Sequence, residues 1–252
     1  MMATASRRGF FPEDERDFAA AQLDKLKTAA ADYLYLGDRG YSPQGAAALV
    51  GDRYQLSARQ RTAVIRTVSP REALALRMAK QICSPSGLPG AEVHVDGFNA
   101  IITLEVALSG SPVFLCMDGT VRDLAGLRGT YRIIDKTVLA VRLMIGSLQQ
   151  LGAANAFVYL DAPVSNSGRL KALINQTARE LGFPTEAATV NGVDRLLSTL
   201  PGVITADSAI LDRCVSWMNI HESLMRRVSG VWLVDIRPAI DMAGRKGADY
   251  AR

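Results

Sequence analysis

Apolar residues recur at helical spacing through the first third of the chain, and from about residue 91 onward the pattern changes to short β-branched runs separated by helical stretches. Phe18, Leu23, Leu26, Ala30 and Leu34 share one face, which predicts a single amphipathic helix over 13–36 with Gly37 as its stop. Ser42 before Pro43 predicts the start of a short helix ending at Gly51, and Ser57 predicts the cap of another running from Arg59 to Thr67. Ser69 and Glu72 have capping-box spacing and open a helix expected to reach about Ile82. The turn formers of SPSGLPG, residues 84–90, then divide the chain into an all-α domain, 1–87, and an α/β domain, 88–236. The remaining 237–252 is small, polar and Gly-containing, and reads as a flexible tail.

Beyond that boundary the predicted strands are 92–103, 113–117, 157–160, 203–205 and 231–235. The predicted helices are 135–151, 169–181 with Gly182 just past the end, and 207–213. Strands alternating with helices imply right-handed crossovers and an α/β fold with a mainly parallel sheet. Ligands of such sheets bind beyond the carboxyl ends of the strands. Asp96, Asp118, Asp161 and Asp207 each follow a predicted strand, and Asp194, in NGVD, opens a short helical segment able to return to the same edge. An aspartate in that position also serves as a turn former or N-cap, and Asp123 and Asp212 read as solvated or capping residues. Gathered carboxylates raise one another's pKa unless a cation neutralises them, and oxygen ligands without histidine suit Mg²⁺ or Mn²⁺. The chemistry this supports is phosphodiester hydrolysis.

Composition narrows the field. No apolar run reaches the roughly 18 residues that span a bilayer, and the first residues hold no secretory apolar core, so the chain is expected to be cytoplasmic with no membrane partner. Cys83, Cys116 and Cys214 are too dispersed for a disulfide framework or a zinc site and read as small buried hydrophobes. With only His94 and His221, carboxylates must carry any catalysis. Of the net charge of +4, all the surplus lies in residues 1–87, concentrated in Arg53, Arg59, Arg61, Arg66, Arg71, Arg77 and Lys80. That is either the footprint of a polyanion or a solvated helix face. No Walker-type loop, G-x-G-x-x-G or G-x-S-x-G is present, which removes the usual support for nucleoside triphosphatases, Rossmann dehydrogenases and serine hydrolases.

DGFN at 96–99 and TADSAIL at 205–211 resemble, in order and strand context, motifs of the PIN-like nuclease superfamily, especially its NYN branch. NGVD, ending at Asp194, is similar to that family's K-G-x-D segment. The resemblance covers about residues 91–236 and implies a three-layer α/β/α core cutting nucleic acid with Mg²⁺ or Mn²⁺, RNA ahead of DNA. It implies metal binding by Asp96, Asp194 and Asp207, with Asn99 and Thr205 orienting groups or contacting substrate. Asn191 stands where the branch often has lysine, and Ala209 where it often has a second aspartate, which leaves Asp161 as a candidate for the missing carboxylate.

The whole chain also looks like an uncharacterised prokaryotic family with a GDRYxLxxRQR segment ahead of such a core, here Gly51 to Arg61. Arg53, Arg59 and Arg61 would suit a phosphate backbone. In 118–132, Asp118, Arg122, Arg128 and Arg132 are candidates for holding phosphate, or an Arg–Asp network that orders the loop. MDGTV there resembles the D-x-D-G-T motif of haloacid-dehalogenase phosphatases, but Cys116 replaces the nucleophilic aspartate, which argues against aspartyl-phosphate chemistry. The resulting expectation is a metal-dependent endoribonuclease. Its rivals are a non-catalytic RNA-binding or adaptor protein with a degenerate site, and a small-molecule phosphohydrolase built on the 118–132 loop. A homo-oligomer is compatible with all three.

Overall fold

The computed structural model describes residues 7–82, 90–126 and 129–238, with Glu222 as backbone only. Cys83, the expected linker up to Pro89, Arg128 and the tail beyond 238 lie outside the described residues. The chain opens with α1 (Asp14–Asp17), α2 (Ala20–Gly37), α3 (Pro43–Arg53), α4 (Ala58–Thr67) and α5 (Arg71–Lys80). Ser42 and Ser57 cap α3 and α4 as the sequence predicts, and Gln60 completes a capping box with Ser57.

Two expectations fail in this block. The helix over 13–36 is interrupted at Phe18 and Ala19. Phe18 turns inward to meet Phe114 edge-on at 4.8 Å, and Asp17 accepts the hydroxyl of Ser57 at 2.6 Å. Helical periodicity carries no trace of partners so distant in sequence. The capping box at Ser69 does not form either: Pro70 begins α5 without a side-chain cap, while Ser69 Oγ accepts from Arg77 Nη1 at 2.9 Å.

The second part of the chain runs β1 (Glu92–Asp96), α6 (Gly97–Leu108), β2 (Val113–Leu115), β3 (Val121–Arg122), α7 (Thr137–Gln150), β4 (Asn155–Asp161) and α8 (Ser167–Leu181). It continues with β5 (Thr185–Val190), α9 (Val193–Leu197), β6 (Val203–Ile204), α10 (Ser208–Leu211), α11 (His221–Met225) and β7 (Leu233–Val234). The strand expected over 92–103 ends at Asp96. Residues 97–108 are apolar nearly all round, which in a short β-branched run reads as strand, yet a helix buried on every side has the same composition. Asp96 caps that helix by accepting from the Asn99 N–H. Gly97 is required at its start, because a Cβ there would lie 2.7 Å from Leu160 Cδ2 and 2.9 Å from the Tyr159 carbonyl.

The fold is α/β with a four-stranded, entirely parallel sheet in the order β5-β4-β1-β6. The strands expected in one sheet divide into two: β2 pairs antiparallel with β3 and parallel with β7 in a separate sheet. Val93, Val95, Val158 and Ile204 join the core formed with α6, α7 and α8, whereas Val203 packs with Val193, Leu197, Ile210 and Trp217 in a second cluster. Both faces of the parallel sheet therefore carry apolar packing. Phe114, Val234 and Ile236 share a further buried cluster with Leu26, Ala30, Val50 and Val64, so the leading helices close over the three-stranded sheet. Among the described residues no helix is long and apolar enough to cross a membrane.

Candidate active site at the carboxyl edge of the parallel sheet

The strand order places the ends of β4, β1 and β6 side by side, and the aspartates following them inherit that proximity. Asp96 closes β1 and is 9% exposed. Its Oδ2 accepts from Thr205 Oγ1 at 2.9 Å and its Oδ1 from the Asn99 N–H at 3.3 Å. Thr205 Oγ1 in turn accepts from the Asp207 N–H at 3.0 Å, and Asn99 Oδ1 accepts from the Ala206 N–H at 2.8 Å. The two sequence motifs are thus laced into one polar network across β1 and β6. Asp207 also caps α10, its Oδ1 accepting from the Ala209 N–H at 2.7 Å.

Burial pushes the Asp96 carboxyl up to about 7 despite the hydrogen bonds from Thr205 and Asn99, and the charges of Asp207 and Asp194 push the same way. Desolvation also raises Asp194, followed by the charges of Asp207 and Asp161, with Arg213 opposing. Asp161, at the end of β4, accepts from the Val193 N–H at 3.2 Å and so anchors the start of α9 that carries Asp194. The four candidate carboxylates therefore form one electrostatically coupled edge. Among the described residues, no three His, Cys, Asp or Glu side chains stand close enough together to hold a metal ion in this arrangement.

Beside this edge lies a cleft of about 230 Å³. Asn99, Ala206, Asp207 and Ser208 form one wall, Ile65 and Arg66 of α4 the other, with Arg122 and Asp123 between them. Sequence reasoning named Arg66 only among a stretch of cations and left Asp123 aside as solvated or capping. Asp123 is instead 7% exposed and accepts from the Thr103 hydroxyl at 2.9 Å and the Ala125 N–H at 2.8 Å. Nothing local in the sequence reveals that α4 meets the sheet edge, since the contact joins distant segments.

The other candidates are placed elsewhere or used differently. Asp118, expected to face substrate, is 2% exposed. It pairs with Arg122 at 2.6 Å and Arg77 at 3.0 Å, and accepts the Thr120 hydroxyl at 2.6 Å. Burial works against its charge, but Arg122, Thr120 and Arg77 outweigh it and hold the carboxyl below its usual range. Of the two readings of this loop, the Arg–Asp network is what the structure contains around Asp118. Arg122 donates to the carbonyls of Arg66 and Ala206, the latter at 2.6 Å, and so fastens α4 and the end of β6 around the cleft. Arg132 is exposed, its carbonyl accepting from Arg8, and Arg128 is outside the described residues.

The arginines of the GDRYxLxxRQR segment also have internal partners. Arg59 is bound to Asp14 and to the Gly9 carbonyl at 3.0 Å, and Arg61 to Asp52 at 2.8 Å and the Leu56 carbonyl at 3.0 Å. Gly51 lets the Arg61 guanidinium pass, since a Cβ there would lie 2.4 Å from it. Arg53 is exposed, 3.7 Å from Asp32. These contacts tie the helices together, a role the polyanion reading did not anticipate.

Two family models match the chain: one described as a domain of unknown function (DUF5616), over residues 85–223, and one described as a protein of unknown function (DUF434), over residues 25–80. The chain is 31% identical over 186 residues to a protein of Methanocaldococcus jannaschii named uncharacterized protein MJ0935, an alignment that covers 74% of this chain and 88% of that one. No solved structure matches.

Proposed function

We propose, from the premise that this chain belongs to the family described as a domain of unknown function (DUF5616), that it is a divalent-cation-dependent endoribonuclease acting at the Asp96–Asp207 edge. The observation carrying this reading is the Asp96–Thr205–Asp207 network, which ties the Asp96 carboxylate through the Thr205 hydroxyl to the backbone N–H of Asp207 at the carboxyl ends of two parallel strands. The resemblance of DGFN and TAD to PIN-like (NYN) motifs supports it and puts RNA ahead of DNA by analogy.

The donor set suits a hard dication: every coupled group is a carboxylate, and each raises its neighbours' affinity for positive charge. Asp96, Asp194 and Asp207 would hold the ion, whose chemistry there would be to offset charge on phosphate oxygens and acidify a water. The chain's own groups do the positioning. Thr205 and the Asn99 N–H fix both Asp96 oxygens, while Asn99 Oδ1 holds the Ala206 N–H and keeps the turn carrying Asp207 against β1.

One observation favours a second reading, a nucleic-acid-binding protein that does not cleave. Both Asp96 oxygens and one Asp207 oxygen already hold internal hydrogen bonds, and no three ligands converge among the described residues. Incubation with Mn²⁺ and a panel of single-stranded and structured RNAs separates the two. Cleavage by the wild type is expected, lost in both Asp96→Asn and Asp207→Asn while both variants still unfold cooperatively at a melting temperature no lower than that of wild type. Intact RNA throughout, with no Mn²⁺-induced thermal shift, would leave the binding protein as the reading.

A further inference from the structure

We infer that the site is composite, with Arg66 of α4 holding a substrate phosphate across the cleft from Asp207, so that the leading helices bring a phosphate-binding cation to the acidic edge. This rests on the phosphodiester reading above and names the residue that would orient the substrate in it.

The inference follows from what the arginines of the helical block face. Arg59, Arg61, Arg71 and Arg77 each pair with an aspartate. Arg66 pairs with no carboxylate among the described residues; its Nη1 donates to the Asp123 carbonyl at 2.9 Å. The other cation of the cleft, Arg122, is neutralised by Asp118. The Asp123 carboxylate is turned away to Thr103 and Ala125. Arg66 is therefore a half-buried guanidinium without a carboxylate partner among the described residues, lining the same cleft as Asp207.

A guanidinium in that state binds phosphate oxygens through charge-assisted hydrogen bonds. The cleft of about 230 Å³ is several times the ~30 Å³ share of one water, enough for a phosphate and part of its sugar. Ile65, 38% exposed beside Arg66, adds an apolar surface against which a sugar or base can rest. A phosphodiester anchored at Arg66 would direct its ester bond toward Asp207.

The test is binding of a short single-stranded RNA to the full chain carrying Asp207→Asn, followed by fluorescence anisotropy over a salt series. Adding Arg66→Gln is expected to weaken binding about tenfold and to flatten the salt dependence by roughly 0.7, the value for one phosphate contact on a single strand. Arg66→Lys should recover part of both. Ile65→Glu, at an exposed position with no internal hydrogen bond to lose, should weaken binding by a similar factor without changing the melting temperature. Arg71→Gln, which alters an exposed pair with Asp38, is the control and should leave affinity unchanged. Equal affinity and salt slope for Arg66→Gln and its parent would overturn the inference, as would no RNA binding by the parent. Arg66-dependent binding without cleavage by the wild type would sink the nuclease reading and leave the phosphate site standing.

Discussion

Asp96 ends one strand and Asp118 stands shortly after another, both are almost fully buried, and their carboxyl pKa values shift in opposite directions. Asp96 meets a hydroxyl, an amide N–H and the charges of other aspartates, and its carboxyl rises to about 7. Asp118 meets two guanidinium groups that overcome the same desolvation and keep it charged. Burial alone does not decide whether an aspartate serves structure or chemistry; the charge of its neighbours does. An aspartate among cations is a joint, here between α5, the turn after β2, and β3. An aspartate among acids is held at a cost that only a cation or a proton relieves, and such residues concentrate at functional sites.

The comparison is broken most severely at the joint. Asp118→Ala strands the buried Arg122 guanidinium and takes from Arg77 the buried one of its two aspartate partners, and a loss of about 3–5 kcal/mol is expected in denaturant unfolding, as for other broken buried ion pairs. A loss below about 1 kcal/mol would mean that the existing pair with Asp212, at 2.6 Å, suffices for Arg77 and that Arg122 finds another partner.

The next test separates the two aspartates by pH. Because the folded-state pKa of Asp96 is raised, the native chain binds more protons than the unfolded one between about pH 4 and 7, and stability falls as pH rises through that window. Asp118 is depressed, so its contribution is fully present above the ordinary carboxylate pKa and is lost only as pH falls below it. In EDTA, wild type should therefore lose up to a few kcal/mol relative to Asp96→Asn from pH 4 to 7, at about 1.4 kcal/mol per unit of elevation. Parallel stability curves for the two proteins would show that Asp96 ionises like an exposed aspartate.

How much of this was legible depends on whether the deciding contacts are local. Ser42 and Ser57 announce α3 and α4 because a cap acts within one turn, and the aspartates at the sheet edge follow from strand alternation alone. The break at Phe18, the diversion of Ser69 to Arg77 and the burial of Asp118 depend on partners tens of residues away, which periodicity does not encode. β5 was missed because TEAATV has a weak apolar pattern and is placed by pairing along β4. α6 was misread because a fully buried helix and a buried strand share a composition. Arg66 stands among the cations in the sequence, but that it meets the Asp123 carbonyl and no carboxylate among the described residues exists only in three dimensions.

The smallest expected effect tests the link inside the acidic edge itself. Thr205 Oγ1 is the one atom that both donates to Asp96 and accepts from the Asp207 N–H, so Thr205→Val removes two hydrogen bonds while keeping the side chain's shape. Each such bond contributes about 1 kcal/mol net, and thermal unfolding should show a loss of about 1–2 kcal/mol. Losing the Thr205 hydroxyl also removes a bond that lowers the Asp96 pKa, so the upper end of the pH window over which stability declines should move upward. Thr205→Ser should restore both, since the hydroxyl is what the network uses. A Val variant that loses stability but keeps the wild-type pH profile would show that Thr205 only packs at this edge, and that Asp96 owes nothing of its ionisation to the strand beside it.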